Sequence, residues 1–169
     1  MLVKSSYLGV AAAIFVASTA VAASAAERLR AEPGVRAQGS CTGLTQTDYR
    51  VETNLASTFS FGFVNLKDGE ITFTQGGASA GCVIARFSAE TDAPGTGGID
   101  VRLRLGDGTI ARPAPVFWTT NHSEGPSAQS FEFVFPNVAP GTRTVRVQWR
   151  SFDGRRVDFG FRTLTVTHQ

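Results

Sequence analysis

The sequence predicts an all-β protein, a two-sheet β-sandwich or jelly roll of about eight to ten strands that follows a cleaved signal peptide. Three observations carry this reading. Apolar and polar residues alternate with period two in segment after segment, most plainly where Val145, Val147 and Trp149 alternate with Arg146, Gln148 and Arg150. Turn-forming Gly, Pro and Asp punctuate the chain at fairly regular, short intervals. No segment after Ala26 carries the apolar period of a helix.

The chain opens on an address. Lys4 supplies a positive start, residues 7–21 are apolar and rich in alanine, and residues 22–26 offer small side chains to a signal peptidase. Cleavage is expected after Ala25 or Ala26. The apolar run is shorter than the roughly 20 residues a membrane span needs. No cysteine closes it to take a lipid anchor, and no second run of membrane length follows. Residues 1–26 are therefore read as signal peptide and 27–40, with Pro33 and Gly34, as a flexible leader. Residues 41–169 form a single β-sandwich domain, long enough to bury its own core.

Sixteen Lys and Arg against 14 Asp and Glu give a net charge of +2, and Lys4 leaves with the signal. Net charge alone therefore selects no polyanion. Cys41 and Cys82 are the only cysteines. In an exported chain they are expected to pair, and a loop of about 41 residues would add roughly 4 kcal/mol in the entropic treatment.

The strands are then read in order. Residues 49–54 make a first strand. Phe59, Phe61 and Phe63 alternate with Ser60 and Gly62 as a strand with an aromatic inner face, and Asp68-Gly69 turns the chain before Ile71 and Phe73. Residues 75–81 are a glycine-rich connection. Residues 82–87, nearly all apolar, read as a central strand covered on both faces, and 91–98 as an exposed loop. Val101, Leu103 and Leu105 alternate with Arg102 and Arg104, and 106–108 turn into a short strand through Ile110. Pro113 and Pro115 restrict the segment up to Trp118 to an edge strand or a loop. Residues 119–129 are polar and loop-like, and Phe131, Phe133 and Phe135 mark the next strand. Thirteen phenylalanines are expected to fill much of the core.

The last two strands, around Val145–Trp149 and Val157–Phe161, are expected to pair as a hairpin. Their apolar positions share odd parity, which a two-residue Asp153-Gly154 turn would violate. A three-residue loop restores parity but sets Arg150 against Arg156. A five-residue loop sets Trp149 against Phe159 and Arg150 against Asp158, and is preferred. After Phe161 the apolar parity flips to Leu164 and Val166, so a bulge is expected near Arg162-Thr163. The run from Asn137 to Trp149, with its Pro140-Gly141 turn, followed by Arg162-Thr163-Leu164-Thr165-Val166, resembles the closing hairpin of exported bacterial β-domains of unassigned function. The resemblance covers about the last third of the chain. It implies secretion and a sandwich fold, and it transfers no catalytic residue.

Chemistry-bearing groups are few. His122 stands beside Asn121, Ser123 and Glu124 in the polar loop, residue types of nucleophilic catalysis, yet no Gly-x-Ser-x-Gly elbow presents a serine. His168 is penultimate. Glu90, Asp92, Glu132 and Asp158 could serve acid–base work, but the wet face of a sandwich carries such groups in any case. The three Asp-Gly pairs are turn chemistry without the spaced ligands of a calcium loop, and no metal or cofactor is expected.

Arginine is the strongest surface feature. Arg102, Arg104, Arg146, Arg150, Arg156 and Arg162 form a candidate anion-binding face, provided the strand of Arg102 shares a sheet with that of Arg146. Outward arginines also keep sheets from pairing with neighbours. No aromatic residue alternates with them, so no stacking platform for single strands is expected and nucleic acid is not an expected partner. Trp118, beside Phe117, and His122 form a candidate ligand loop, with a core role for Trp118 as the competing reading. The leading functional expectation is a secreted or periplasmic, non-catalytic binding or interaction domain, its partner a protein or a polyanionic glycan. The alternative is a structural subunit that assembles into an oligomer. A hydrolase using His122 or a carboxylate pair is third.

Overall fold

The computed structural model describes residues 40–93, 97–119 and 126–169. The expected signal peptide, the expected leader up to residue 39 and His122 lie outside the described residues. Nine strands are described: β1 (Gln46–Glu52), β2 (Ala56–Thr58), β3 (Val64–Gln75), β4 (Gly81–Asp92), β5 (Gly98–Leu105), β6 (Val116–Thr119), β7 (Ser127–Val138), β8 (Gly141–Ser151) and β9 (Val157–His168). They form two antiparallel sheets. Sheet A runs β1-β9-β4-β7 with the short β2 also on β9, and sheet B runs β3-β8-β5-β6.

This order is that of a jelly roll. The nested pairs β1·β9, β3·β8, β4·β7 and β5·β6 are all hydrogen-bonded. The chain is thus one long hairpin, doubled at the β5–β6 connection and rolled into two facing sheets. Rolling buries one face of each sheet. Phe87, Val83 and Ala85 of β4, Phe133 and Phe135 of β7, and Phe159 of β9 meet Val101 and Leu103 of β5 and Val145, Val147 and Trp149 of β8, all at most 2% exposed. Five phenylalanines lie in this core (Phe73, Phe87, Phe133, Phe135 and Phe159), fewer than the composition suggested.

The expected closing hairpin is not one. β8 pairs with β3 and β5, whereas β9 pairs with β1, β2 and β4, so the loop between them crosses from sheet to sheet. Trp149 and Phe159 do meet, with centroids 4.6 Å apart and planes 19° from parallel, but across the core. Shared parity fixes a shared core, and two strands facing each other from opposite sheets satisfy it as well as two strands in one ladder.

The bulge in β9 is present. β4–β9 pairing passes from Ala89↔Arg162 to Thr91↔Phe159, so β9 carries one extra residue at Gly160–Phe161. It falls just before the expected position, and it turns Phe161 out to 66% exposure while Arg162 turns in to 5%. The Arg162 guanidinium donates to the Asn54 and Gly160 carbonyls and, at 3.2 Å, to that of Lys67. Burial lowers its pKa, against the opposing pull of Glu52 and Asp68. It thereby ties the edge of sheet A to β3.

Three further expectations change. Residues 59–63 are not a strand: β2 ends at Thr58 in sheet A and β3 begins at Val64 in sheet B, so this segment must cross between sheets and leave both ladders. Phe59 and Phe61 are 63% and 65% exposed as a result. Asp68-Gly69 does not end a strand but sits in a bulge within β3, between Asn65 and Glu70, with Asp68 at φ 58°. Here the chain loops out and Leu66 swings into the core. β4 is central but wet on one face, with Arg86 exposed, and it runs on through the buried Thr91 to Asp92, taking residues assigned to a loop. β6 is the expected edge strand. Cys41 and Cys82 form a disulfide that ties the segment before β1 to β4.

Candidate functional site

The condition on which the basic face depended is met. β5 and β8 are neighbours in sheet B, with Arg104 opposite Arg146, Arg102 opposite Gln148 and Asp100 opposite Arg150. Period two places Asp100, Arg102 and Arg104 on the face opposite the buried Val101, Leu103 and Leu105. The same rule puts Arg146, Gln148 and Arg150 beside them.

Not all of this charge is free. Arg150 is bound to the buried carboxylate of Asp100, with Nε and Nη2 each 2.8 Å from Oδ2. Arg146 Nε donates to Glu70 across β3–β8 at 2.7 Å. Four guanidiniums therefore meet two bonded carboxylates, and Arg102 and Arg104 have no ion pair among the described residues, with Asp107 in electrostatic range of Arg104.

Arg102 is held in place. Its Nε donates to Gln148 Oε1 at 2.9 Å, and Gln148 Nε2 in turn donates to Asn65 Oδ1 at 2.8 Å. Its guanidinium carbon lies 4.0 Å from the centroid of Phe63, which Arg150 also covers at 4.8 Å. Partial burial lowers the Arg102 pKa, with smaller contributions from Arg104 and Arg150. The crowding of like charges that lowers it is what an added oxyanion would relieve. A guanidinium fixed through Nε and one face, with no described residue on its outer nitrogens, is preorganised for bidentate contact with a carboxylate, sulfate or phosphate.

The other proposed residues fall elsewhere. Arg162 is buried and Arg156 lies just before β9, bound to Asp158 at 3.0 Å and to Ser57 at the edge of sheet A, so neither joins the face. Trp118 is 2% exposed and stacks on Phe87 at 5.5 Å, which makes it core and not a ligand platform. Among the carboxylates, Glu132 is paired with Arg86 and Asp158 with Arg156. Among the described residues, no three His, Cys, Asp or Glu gather to hold a metal ion.

Phe63, Asp100 and Gln148 complete the face and were not anticipated. Asp100 shares the parity of Arg102 and Arg104, and that signal could have placed it. Phe63 enters from the crossing segment outside any strand, which alternation within strands cannot register. Both arginines lie against its ring.

No family model matches the chain, and no curated protein matches it. Solved structures match it at low identity. The VP2 subviral particle of infectious bursal disease virus is 11% identical over 82% of this chain and 36% of its own, with a TM-score of 0.49. Latent PorU from Porphyromonas gingivalis is 12% identical over 78% of this chain and 14% of its own, TM-score 0.41. A disulfide-linked pilus of Bacillus endospore appendages is 15% identical over 79% of this chain and 100% of its own, TM-score 0.27. The chain thus spans about a third or less of the first two.

Proposed function

We propose that the chain is a non-catalytic binding domain that acts outside the cytoplasm and takes an oxyanion-bearing ligand on the outer face of sheet B. The observation that supports this is the Arg102–Arg104 pair, without an ion pair among the described residues on a face where Gln148 and Phe63 already hold Arg102 in position. The disulfide agrees with an oxidising compartment. Flat faces with exposed cations bind weakly and through many contacts, so retention should fall steeply with salt.

The test is affinity for heparin and for polygalacturonate, which separate sulfate from carboxylate recognition. The double substitution Arg102→Ala with Arg104→Ala is expected to reduce binding at least about tenfold, the equivalent of ~1.4 kcal/mol. Equal binding by the double variant would overturn the proposal.

A second reading, assembly into an oligomer, has its own observation. Leu55, Phe59 and Phe61 are each more than 60% exposed within one short segment, which is unusual for a free surface. If that segment is buried between copies, light scattering will give a multiple of the monomer mass, and Phe59→Ser with Phe61→Ser will return it to monomer. A monomer mass for the unaltered chain removes this reading.

A further inference from the structure

The outer face of sheet A holds an anomaly unrelated to the arginines. In β1 the usual order is inverted: polar residues point inward and apolar ones outward. Asp48 accepts from the buried His168 (Nε2 to Oδ2, 3.0 Å) and Arg50 pairs with Asp68 at 3.0 Å, while Glu52 stands opposite the buried Arg162. These contacts fix the register of β1 on β9, and period two then forces Tyr49 and Val51 outward, at 73% and 59% exposure. On β9 the bulge independently turns Phe161 outward at 66%. Two separate devices thus expose apolar side chains on one face.

They border a groove. Val51 and Phe161 form one wall of an open depression of about 620 Å³, with Ser88, Glu90 and Thr163 among its lining and Ser130 on the far side. The depression is shallow and open, closer to a surface groove than to an enclosed cavity. The apolar residues do not form one continuous patch. Hydroxyl groups lie beside them, with Thr163 opposite Val51 and Ser88 Oγ 2.8 Å from Ser130 Oγ across the groove. Charge is scarce: Arg162 is on the lining but its guanidinium is bound to the carbonyls of Asn54, Gly160 and Lys67, Arg86 beside the groove is tied to Glu132 at 3.1 Å, and Glu90 is the one acid on the lining.

We infer that this groove binds a neutral oligosaccharide. A sugar ring presents an apolar C–H face, which the Phe161 ring fits, and a rim of hydroxyls, which Ser88, Ser130, Thr163 and Glu90 fit as donors and acceptors. Glu90 disfavours an anionic ligand, since the one cation on the lining, Arg162, has its guanidinium engaged by backbone carbonyls. The site is on the opposite sheet from the arginines and stands independently of the oxyanion reading.

The experiment is calorimetric titration of the full chain with neutral xylo-, cello- and manno-oligosaccharides. One class is expected to bind, and to bind equally at about 0.5 M salt, where exposed charge pairs are screened. Phe161→Ala should weaken that binding at least tenfold and Phe161→Tyr should retain it, while Arg102→Ala with Arg104→Ala leaves it unchanged. Phe161 is largely exposed, so both variants are expected to fold, and unaltered tryptophan fluorescence checks this. Absence of binding by every neutral class, or equal binding by Phe161→Ala, overturns the inference. So does a dimer in light scattering that Phe161→Ala dissolves, since the face would then be covered by a second copy.

Discussion

Phe159→Ala is expected to remove about 4–5 kcal/mol of folding free energy, the upper range for truncating a buried phenylalanine. Phe159 is 0% exposed and its ring touches three others. Phe87 lies 5.4 Å away edge-on within sheet A, whereas Trp118 at 5.7 Å and Trp149 at 4.6 Å come from sheet B. Alanine would empty the centre of this cluster, and each aromatic pair is worth about 0.5–1.5 kcal/mol beyond its buried area. Whole domains are stable by only about 5–15 kcal/mol, so the variant should be close to unfolding. The chain's two tryptophans are both 2% exposed, and both touch Phe159, so their fluorescence reports on this cluster. Urea denaturation should show a much lower midpoint with an unchanged slope, and red-shifted emission. Phe161→Ala, two residues on, should change stability by less than about 0.5 kcal/mol. A loss below about 1 kcal/mol for Phe159→Ala would show that the rings are not what joins the sheets.

The contrast between Phe159 and Phe161 also marks how far this fold is legible in the sequence. Alternation identifies strands and their buried parity, and it placed β5, β7, β8 and β9. It does not say which strand lies beside which. Trp149 and Phe159 were correctly brought together, but as ladder partners and not as rings meeting across the core, because both arrangements obey one parity rule. Strand order depends on pairs such as β1·β9, more than a hundred residues apart in sequence, for which local pattern holds no information. Phe59, Phe61 and Phe63 misled for a related reason. Their alternation is real, yet the chain must change sheets there, and a crossing segment cannot keep its ladder. In β1 the polar inward residues make sense only beside their partners His168 and Asp68, which come from other strands.

The candidate sites follow the same division. The sequence located the arginines and stated the condition under which they would share a face, and the pairing of β5 with β8 meets it. It could not show that Asp100 and Glu70 neutralise Arg150 and Arg146, since each pair depends on register between strands. What remains is a smaller and better defined site, centred on Arg102. Of the groove on sheet A only the β9 bulge was legible, as a flip of apolar parity after Phe161; the inverted strand β1 was not, because it departs from the periodicity by which strands are read.

Breaking the Cys41–Cys82 bond is expected to be the other large loss, about 4 kcal/mol in the chain-entropy treatment of a loop this long. The two cysteines are 41 residues apart in sequence, and the segment between them includes all of β1, β2 and β3. The local need is greatest in β1. Its inward side chains are polar and its apolar ones face outward, so it gains little from the core and rests on its ladder with β9 and a few polar contacts. Cys82, by contrast, is 8% exposed on a central strand that stays in place. Reduction, or Cys41→Ser with Cys82→Ala, should therefore lower the melting temperature by roughly 15 °C. Hydrogen exchange should accelerate in β1 well before β4, because β1 can open locally while the core holds. Coincident melting of the oxidised and reduced chains would mean that the bond adds no stability. Equal acceleration in β1 and β4 would mean that β1 is held by the fold as a whole, and that its inverted face needs no covalent anchor.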